Sequence, residues 1–203
     1  MKRKFKAIPT KYNGASFRSR LEAKWAAFFD LLGWKWVYEP FDLDGYIPDF
    51  VLQFYRPLLV EIKPGFTSTD LIADAADKID RSGWEGEALI LGATPVLEKS
   101  EQWSHSGPSV FGALREVVYR EDMPYSSDEE FQKVKKDNGF GWWDEAIPFH
   151  CGCAAAGVGV HHTLGNFGCR VCKDHQGGSP EHDLPVSLEK LWRQAGGATQ
   201  WKR

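Results

Sequence analysis

Residues 46–64 read Tyr46-Ile47-Pro48-Asp49-Phe50-Val51-Leu52-Gln53-Phe54-Tyr55-Arg56-Pro57-Leu58-Leu59-Val60-Glu61-Ile62-Lys63-Pro64. The pattern predicts two adjacent strands joined tightly at residues 55–57. In the first, Ile47, Asp49 and Val51 face one way and Pro48, Phe50 and Leu52 the other. The second is apolar on both sides over its early part, as expected of a buried central strand. Glu61 and Lys63 are two residues apart and therefore share a face. A carboxylate and an ammonium at the end of a buried strand are costly unless paired, hydrated or bound to a metal.

Around this pair the chain reads in a definite order. Upstream, Phe17, Leu21, Trp25, Phe28 and Leu32 recur at helical spacing, predicting an amphipathic helix over residues 16–32 stopped by Gly33. Residues 34–39 alternate as a half-buried strand, and Pro40 ends it. Downstream, Pro64-Gly65 breaks the second motif strand. A helix capped by Ser68 or Thr69 then runs to Arg81, with Leu71, Ile72, Ala75, Ala76 and Ile79 inward. A short apolar strand covers residues 88–91, parallel to the strand that carries Glu61.

Pro48-Asp49 followed by Glu61-Ile62-Lys63 resembles the signature of the PD-(D/E)xK nuclease superfamily. Phe17-Arg18-Ser19-Arg20-Leu21-Glu22-Ala23-Lys24-Trp25 is similar to the first helix of its phage-type members. The resemblance spans residues 8–95, about half the chain. It implies an α/β fold with a restriction-endonuclease-like αβββαβ core, a mixed sheet flanked by helices. It also implies a metal-dependent DNA nuclease, an endonuclease in phage or mobile-element DNA processing. Asp49, Glu61 and the backbone carbonyl of Ile62 would bind Mg²⁺ or Mn²⁺, with Glu22 assisting. Lys63 would orient the attacking water and offset charge on the phosphate. Glu39 reads first as a solvated strand end and second as a further acid near the expected site.

Each of these residues also has a plainer reading. Ser19-x-x-Glu22 fits a capping box, which would make Glu22 a backbone cap. Glu61 and Lys63 could form a buried ion pair and nothing more. That pair alone leaves Asp49 and Glu22 unexplained. A non-catalytic DNA-binding or assembly factor with the same fold is the alternative function, and a protein-interaction module on an inert scaffold is a third.

Charge distribution bears on the partner. The 203-residue chain carries a net −3, yet residues 1–24 hold eight Lys or Arg against Glu22 alone, a local +7. Such asymmetry is the footprint expected where one edge meets phosphates. Arg18, Arg20 and Lys24 are the candidate DNA contacts, because a helix would carry them near Glu22. A homodimer, or recombination or replication proteins as partners, is left open. No run approaches the ~18 apolar residues of a membrane span, and no apolar segment follows the basic start. A cytoplasmic protein of a bacterial or phage-infected cell is expected.

Beyond Pro95 the pattern weakens. Residues 110–119 fit a strand or a short helix, and residues 126–138 a helix with acids first and lysines late. Residues 121–145 hold eight acids against three lysines, as a solvated surface or linker would. The four cysteines all fall between residues 151 and 172, as Cys151-Gly-Cys153 and Cys169-Arg-Val-Cys172. Clustered thiols in an intracellular protein point to metal, with structural Zn²⁺ held by all four as the favoured set. His150, His161, His162 and His175 are each able to replace a cysteine. A last helix is expected over residues 185–194, ended by Gly196-Gly197. The expected division is a nuclease-like core over 1–95, an extension or linker over 96–147, and a zinc-binding module with its helix over 148–203.

Overall fold

A computed structural model describes residues 7–64, 69–95, 112–117, 119–122, 125–138, 142–151, 158–162, 169–172, 184 and 186–200. The chain opens with a hairpin, β1 (Thr10–Tyr12) and β2 (Ala15–Phe17). Asn13 and Gly14 turn it with φ of 45° and 80°, the paired positive φ of a type I′ turn. Helix α1 (Arg20–Leu32) follows, later than the expected start at residue 16. Ser19 is its N-cap and accepts the Glu22 N–H through Oγ at 3.2 Å. At the other end Gly33 adopts φ 74°, and the Trp34 N–H reaches back to Phe29 O at 2.9 Å. That is a Schellman stop, and it needs a residue without a Cβ penalty at Gly33.

Next come β3 (Trp36–Tyr38), β4 (Phe50–Gln53), β5 (Pro57–Ile62), α2 (Thr69–Arg81) and β6 (Ala88–Leu91). From α1 onward the order is helix, three strands, helix, strand, as the sequence predicts. β3, β4 and β5 form an antiparallel meander, and β6 lies parallel to β5. The remaining elements are β7 (Gly112–Glu116), α3 (Asp128–Asn138), β8 (Trp142–His150), β9 (Val158–His162) and α4 (Leu188–Ala198). One seven-stranded sheet runs β3-β4-β5-β6-β7-β8-β9. It therefore crosses all three of the segments into which the sequence divides. Part of the expected linker over 96–147 is β7 and most of β8. Helix α4 runs through Gly196-Gly197 instead of stopping there. No helix among the described residues is long and apolar enough to cross a membrane.

β5 is buried on both faces because each face carries a helical layer. Leu58, Val60 and Ile62, with Phe50, Leu52, Leu89, Leu91 and Leu114, pack beneath α1 and α4. Leu59, Ala88, Ile90 and Ala113 pack against Ala75 and Ile79 of α2. Trp25 on α1 and Trp192 on α4 meet with ring centroids 4.7 Å apart, and the Trp25 indole donates to Gly92 O at 2.9 Å. Burial of a side chain of this size stabilises the fold by about 3 kcal/mol, so the Trp25–Trp192 contact is a principal tie between first and last helices. Arg115 on β7 is wholly buried and donates to Asp80, Trp84 O and Gly86 O, each at 2.6 Å.

Candidate functional site

The end of β3, the start of β4, the end of β5 and the start of α1 meet at one end of the sheet. The ladder follows from the register: Phe50 pairs with Val60 on one side and Tyr38 on the other. One residue further along, Asp49 therefore sits between Glu61 and Glu39. The Glu39 N–H donates to Asp49 O at 3.1 Å, continuing the pairing. Glu22 enters from the first turn of α1.

Asp49 is nearly buried, and its two oxygens have different partners. Oδ2 accepts the Ile62 N–H at 2.7 Å, and Oδ1 accepts Arg18 Nη2 at 2.7 Å. Burial first, and then the neighbouring Glu61 carboxylate, push the Asp49 pKa up to about 7, against the Ile62 N–H and Arg18. Glu61 Oε2 accepts the Tyr46 hydroxyl at 2.9 Å, and its Oε1 pairs with the Lys63 ammonium. Glu22 takes the Ser19 hydroxyl on Oε1 at 2.7 Å and the Tyr38 hydroxyl on Oε2 at 2.6 Å. Burial and these carboxylates hold the Tyr46 and Tyr38 phenols protonated, with pKa values raised from the ordinary range.

Arg18 links the two halves. Its Nε lies 2.7 Å from Glu39 Oε1 and 4.0 Å from Glu22 Oε2, while its Nη2 holds Asp49. Among the described residues, Glu22, Glu39, Asp49 and Glu61 thus pair with two cations, Arg18 and Lys63. Carboxylate oxygens are hard donors, the chemical kind that divalent ions such as Mg²⁺ and Mn²⁺ take.

The structure brings together Glu22, Asp49, Glu61 and Lys63, the set expected from the sequence. Glu22 is tied to Ser19, its N–H on the Ser19 hydroxyl and that hydroxyl on its own Oε1, and its Oε2 stands 4.0 Å from the Arg18 guanidinium that holds Asp49. Tyr38 and Tyr46 had no sequence signal, because their roles depend on which carboxylates the fold places opposite them. The three expected DNA contacts separate. Arg20 is exposed, Arg18 is turned to the acids, and the Lys24 ammonium lies 3.8 Å from the centre of the Trp192 ring. Burial lowers the Lys24 pKa, as for an ammonium laid on an apolar helix contact. Lys2, Arg3, Lys4 and Lys6 lie outside the described residues.

A second constellation lies toward the other end of the sheet. The Sγ atoms of Cys151, Cys169 and Cys172 all fall within 4.8 Å of one another. They could hold a metal ion, and a set of three thiols is compatible with zinc. Among the described residues no other group of three ligand atoms is gathered so tightly, so the carboxylates of the first site are spaced more widely. None of the three cysteines is in a disulfide. Burial pushes the Cys169 thiol up to about 12. Cys153 and His175 lie outside the described residues, as do the side chains of His150, His161 and His162.

The short turn between Cys169 and Cys172 is docked on the sheet. The Tyr55 N–H donates to Val171 O at 3.2 Å, and the Arg170 N–H to Val160 O at 3.0 Å. The Arg170 guanidinium lies 2.9 Å from Glu87 and 3.1 Å from Glu116. Tyr55 and Glu87 just precede β5 and β6, so the thiols are tied to the start of β5 and the acids lie at its end. The chain matches no known family model, and it matches no curated protein.

Proposed function

We propose that the chain is a divalent-metal-dependent DNA nuclease with a restriction-endonuclease-like core, resembling the PD-(D/E)xK superfamily. The observation that carries this reading is the convergence of Glu22, Asp49 and Glu61 from three separate parts of the chain, the first two on Arg18 and the third on Lys63. Asp49 and Glu61, with the Ile62 carbonyl, would hold Mg²⁺ or Mn²⁺, and Glu22 would assist from α1. Such an ion supplies Lewis-acid charge at the phosphate and makes a bound water more acidic.

The chain's own groups do the rest. Ile62 fixes one oxygen of Asp49 and leaves the other directed into the site. Tyr46 fixes one oxygen of Glu61 in the same way. Lys63 is paired with Glu61 and would orient a water and offset charge developing on a pentavalent phosphorus. Arg20 is exposed close to the start of α1, where a phosphate backbone would be met. The thiol cluster, completed by Cys153, would take a structural zinc.

Incubation with supercoiled and linear DNA in Mg²⁺, in Mn²⁺ and in EDTA tests the proposal. Cutting is expected with either metal and none in EDTA, and nicked or linearised circles would identify endonuclease action. A second reading, a DNA-binding or assembly factor that does not cut, draws on the ion pairs by which Arg18 and Lys63 already engage Asp49 and Glu61. Protein that binds duplex yet cuts nothing with any divalent metal would establish it.

A further inference from the structure

Arg18 is the residue of the acid cluster that the nuclease reading leaves without a part. Its guanidinium makes one close contact with Asp49 Oδ1 and another with Glu39 Oε1, each at 2.7 Å, and stands 4.0 Å from Glu22. Three acids from three segments of the chain are thereby gathered on a single cation. The Arg18 N–H also donates to the Tyr38 hydroxyl at 3.0 Å, and that hydroxyl donates to Glu22. Backbone and side chain of one residue thus organise the same group of carboxylates.

Glu39 carries the second sign of construction. Its φ is 44°, a left-handed conformation uncommon for residues other than Gly, Asn and Asp. Such a backbone persists where its surroundings enforce it, and functional sites are where it concentrates. Here it lies at the end of β3, beside Asp49 in the ladder, with its carboxylate on Arg18. The Arg18 side chain is about half exposed, at 55 %, whereas that of Asp49 is at 8 %. The guanidinium can therefore leave the cluster toward solvent, and Asp49 cannot.

We propose that Arg18 is a positioning residue of the metal site, and that Glu39 is a fourth acid of it. In the metal-free protein the guanidinium holds Asp49, Glu39 and Glu22 in their array, pairing with carboxylates that a divalent cation would need. It gives up the carboxylates when that cation binds and is then free, at the rim, to meet a phosphate oxygen. This rests on the reading of the cluster as a divalent-metal site. An arginine suits the role because its planar fork engages carboxylate and phosphate alike and stays charged throughout.

The test is binding of Mn²⁺ measured by calorimetry at alkaline pH, on chelator-stripped protein, for wild type, Arg18→Gln, Arg18→Lys and Asp49→Asn. Removing a competitor that holds charge-assisted hydrogen bonds should tighten Mn²⁺ binding by about tenfold in Arg18→Gln. Arg18→Lys should fall between it and wild type, and Asp49→Asn should bind least. A purely structural arginine would give the reverse order. Unfolding temperature provides a second readout that does not depend on full occupancy. Arg18→Gln should unfold earlier than wild type in EDTA and regain more on addition of Mn²⁺. Equal or weaker Mn²⁺ binding by Arg18→Gln, with wild type binding normally, overturns the role of Arg18 and leaves the metal site standing. Absence of Mn²⁺ binding by wild type and Arg18→Gln alike overturns both.

Discussion

The Ile62 N–H donates to Oδ2 of Asp49 at 2.7 Å, so the last residue of β5 fixes the acid that precedes β4. This bond favours the ionised carboxylate, yet burial and Glu61 outweigh it and raise the pKa from 3.8 to about 7. The folded protein thus keeps a proton on Asp49 that the unfolded chain has lost over that interval. The associated stability is complete below about pH 3.8 and is lost as pH rises through about 7. In EDTA, wild type should lose stability across this window relative to Asp49→Asn, whose amide does not titrate. Denaturant unfolding at a series of pH values checks this, and parallel profiles for the two proteins would refute it.

Lys63 stands beside Glu61, with its side chain largely covered and its N–H paired to Leu91 O at 2.8 Å. Lys63→Ala removes the ammonium and leaves that backbone pairing intact. DNA cutting should fall by about a hundredfold or more, the scale of losing a preorganised electrostatic group. Duplex binding, measured by fluorescence anisotropy in EDTA, should change little. A variant that cuts at the wild-type rate would remove Lys63 from the chemistry.

Gly112 opens β7 opposite Leu91. A Cβ built there would stand 2.0 Å from Ile90 O, a backbone atom of β6 that cannot turn aside. Gly112→Ala should therefore push two paired strands apart and destabilise the protein by about 3 kcal/mol, at the upper end for overpacking. Urea unfolding measures this directly. A variant as stable as wild type would mean that β6 and β7 approach less closely than the ladder places them.

The elements that the sequence made legible are those with strong local patterns. The apolar run of β5 and the Ala88–Leu91 strand needed nothing beyond composition and their breakers. The start of α1 was harder, because Phe17 falls at helical spacing from Leu21 while belonging to β2. The signal against a helix there was Asn13-Gly14, a hairpin turn whose flanking strands are only three residues each. Strand β8 was masked by the charge of its surroundings and by Pro148, which weigh against a strand in any local reading. Helix α4 continues through two glycines because packing overrides propensity. A Cβ at Gly196 would meet Lys24 Cε at 3.2 Å, so the glycine makes room for the lysine that lies over Trp192. At the candidate site, Glu22, Asp49, Glu61 and Lys63 were legible as a motif. The seat of Arg18 was not, since local sequence shows only a basic residue four before an acid and tertiary structure decides which acids it reaches.

The thiol cluster gives the last prediction. Arg170 and Val171 dock on Glu87, Glu116, Val160 and Tyr55, so the Cys169–Cys172 turn is bound where β5 and β6 begin and β7 ends. A metal on these thiols would close this turn against the end of β8, where Cys151 lies. Protein prepared without chelator should carry about one zinc per chain, the stoichiometry of a tetrahedral thiolate site. Cys169→Ser should lower that content. It should also lower the unfolding temperature of the whole protein, because the turn is part of the sheet's packing and not a separate unit. The raised pKa of the Cys169 thiol means that protons compete for the site, so zinc affinity should climb with pH. Metal analysis combined with thermal unfolding, with and without chelator, decides the matter. Zinc-free protein of unchanged stability would leave the three thiols as a packed cluster with no metal to bind.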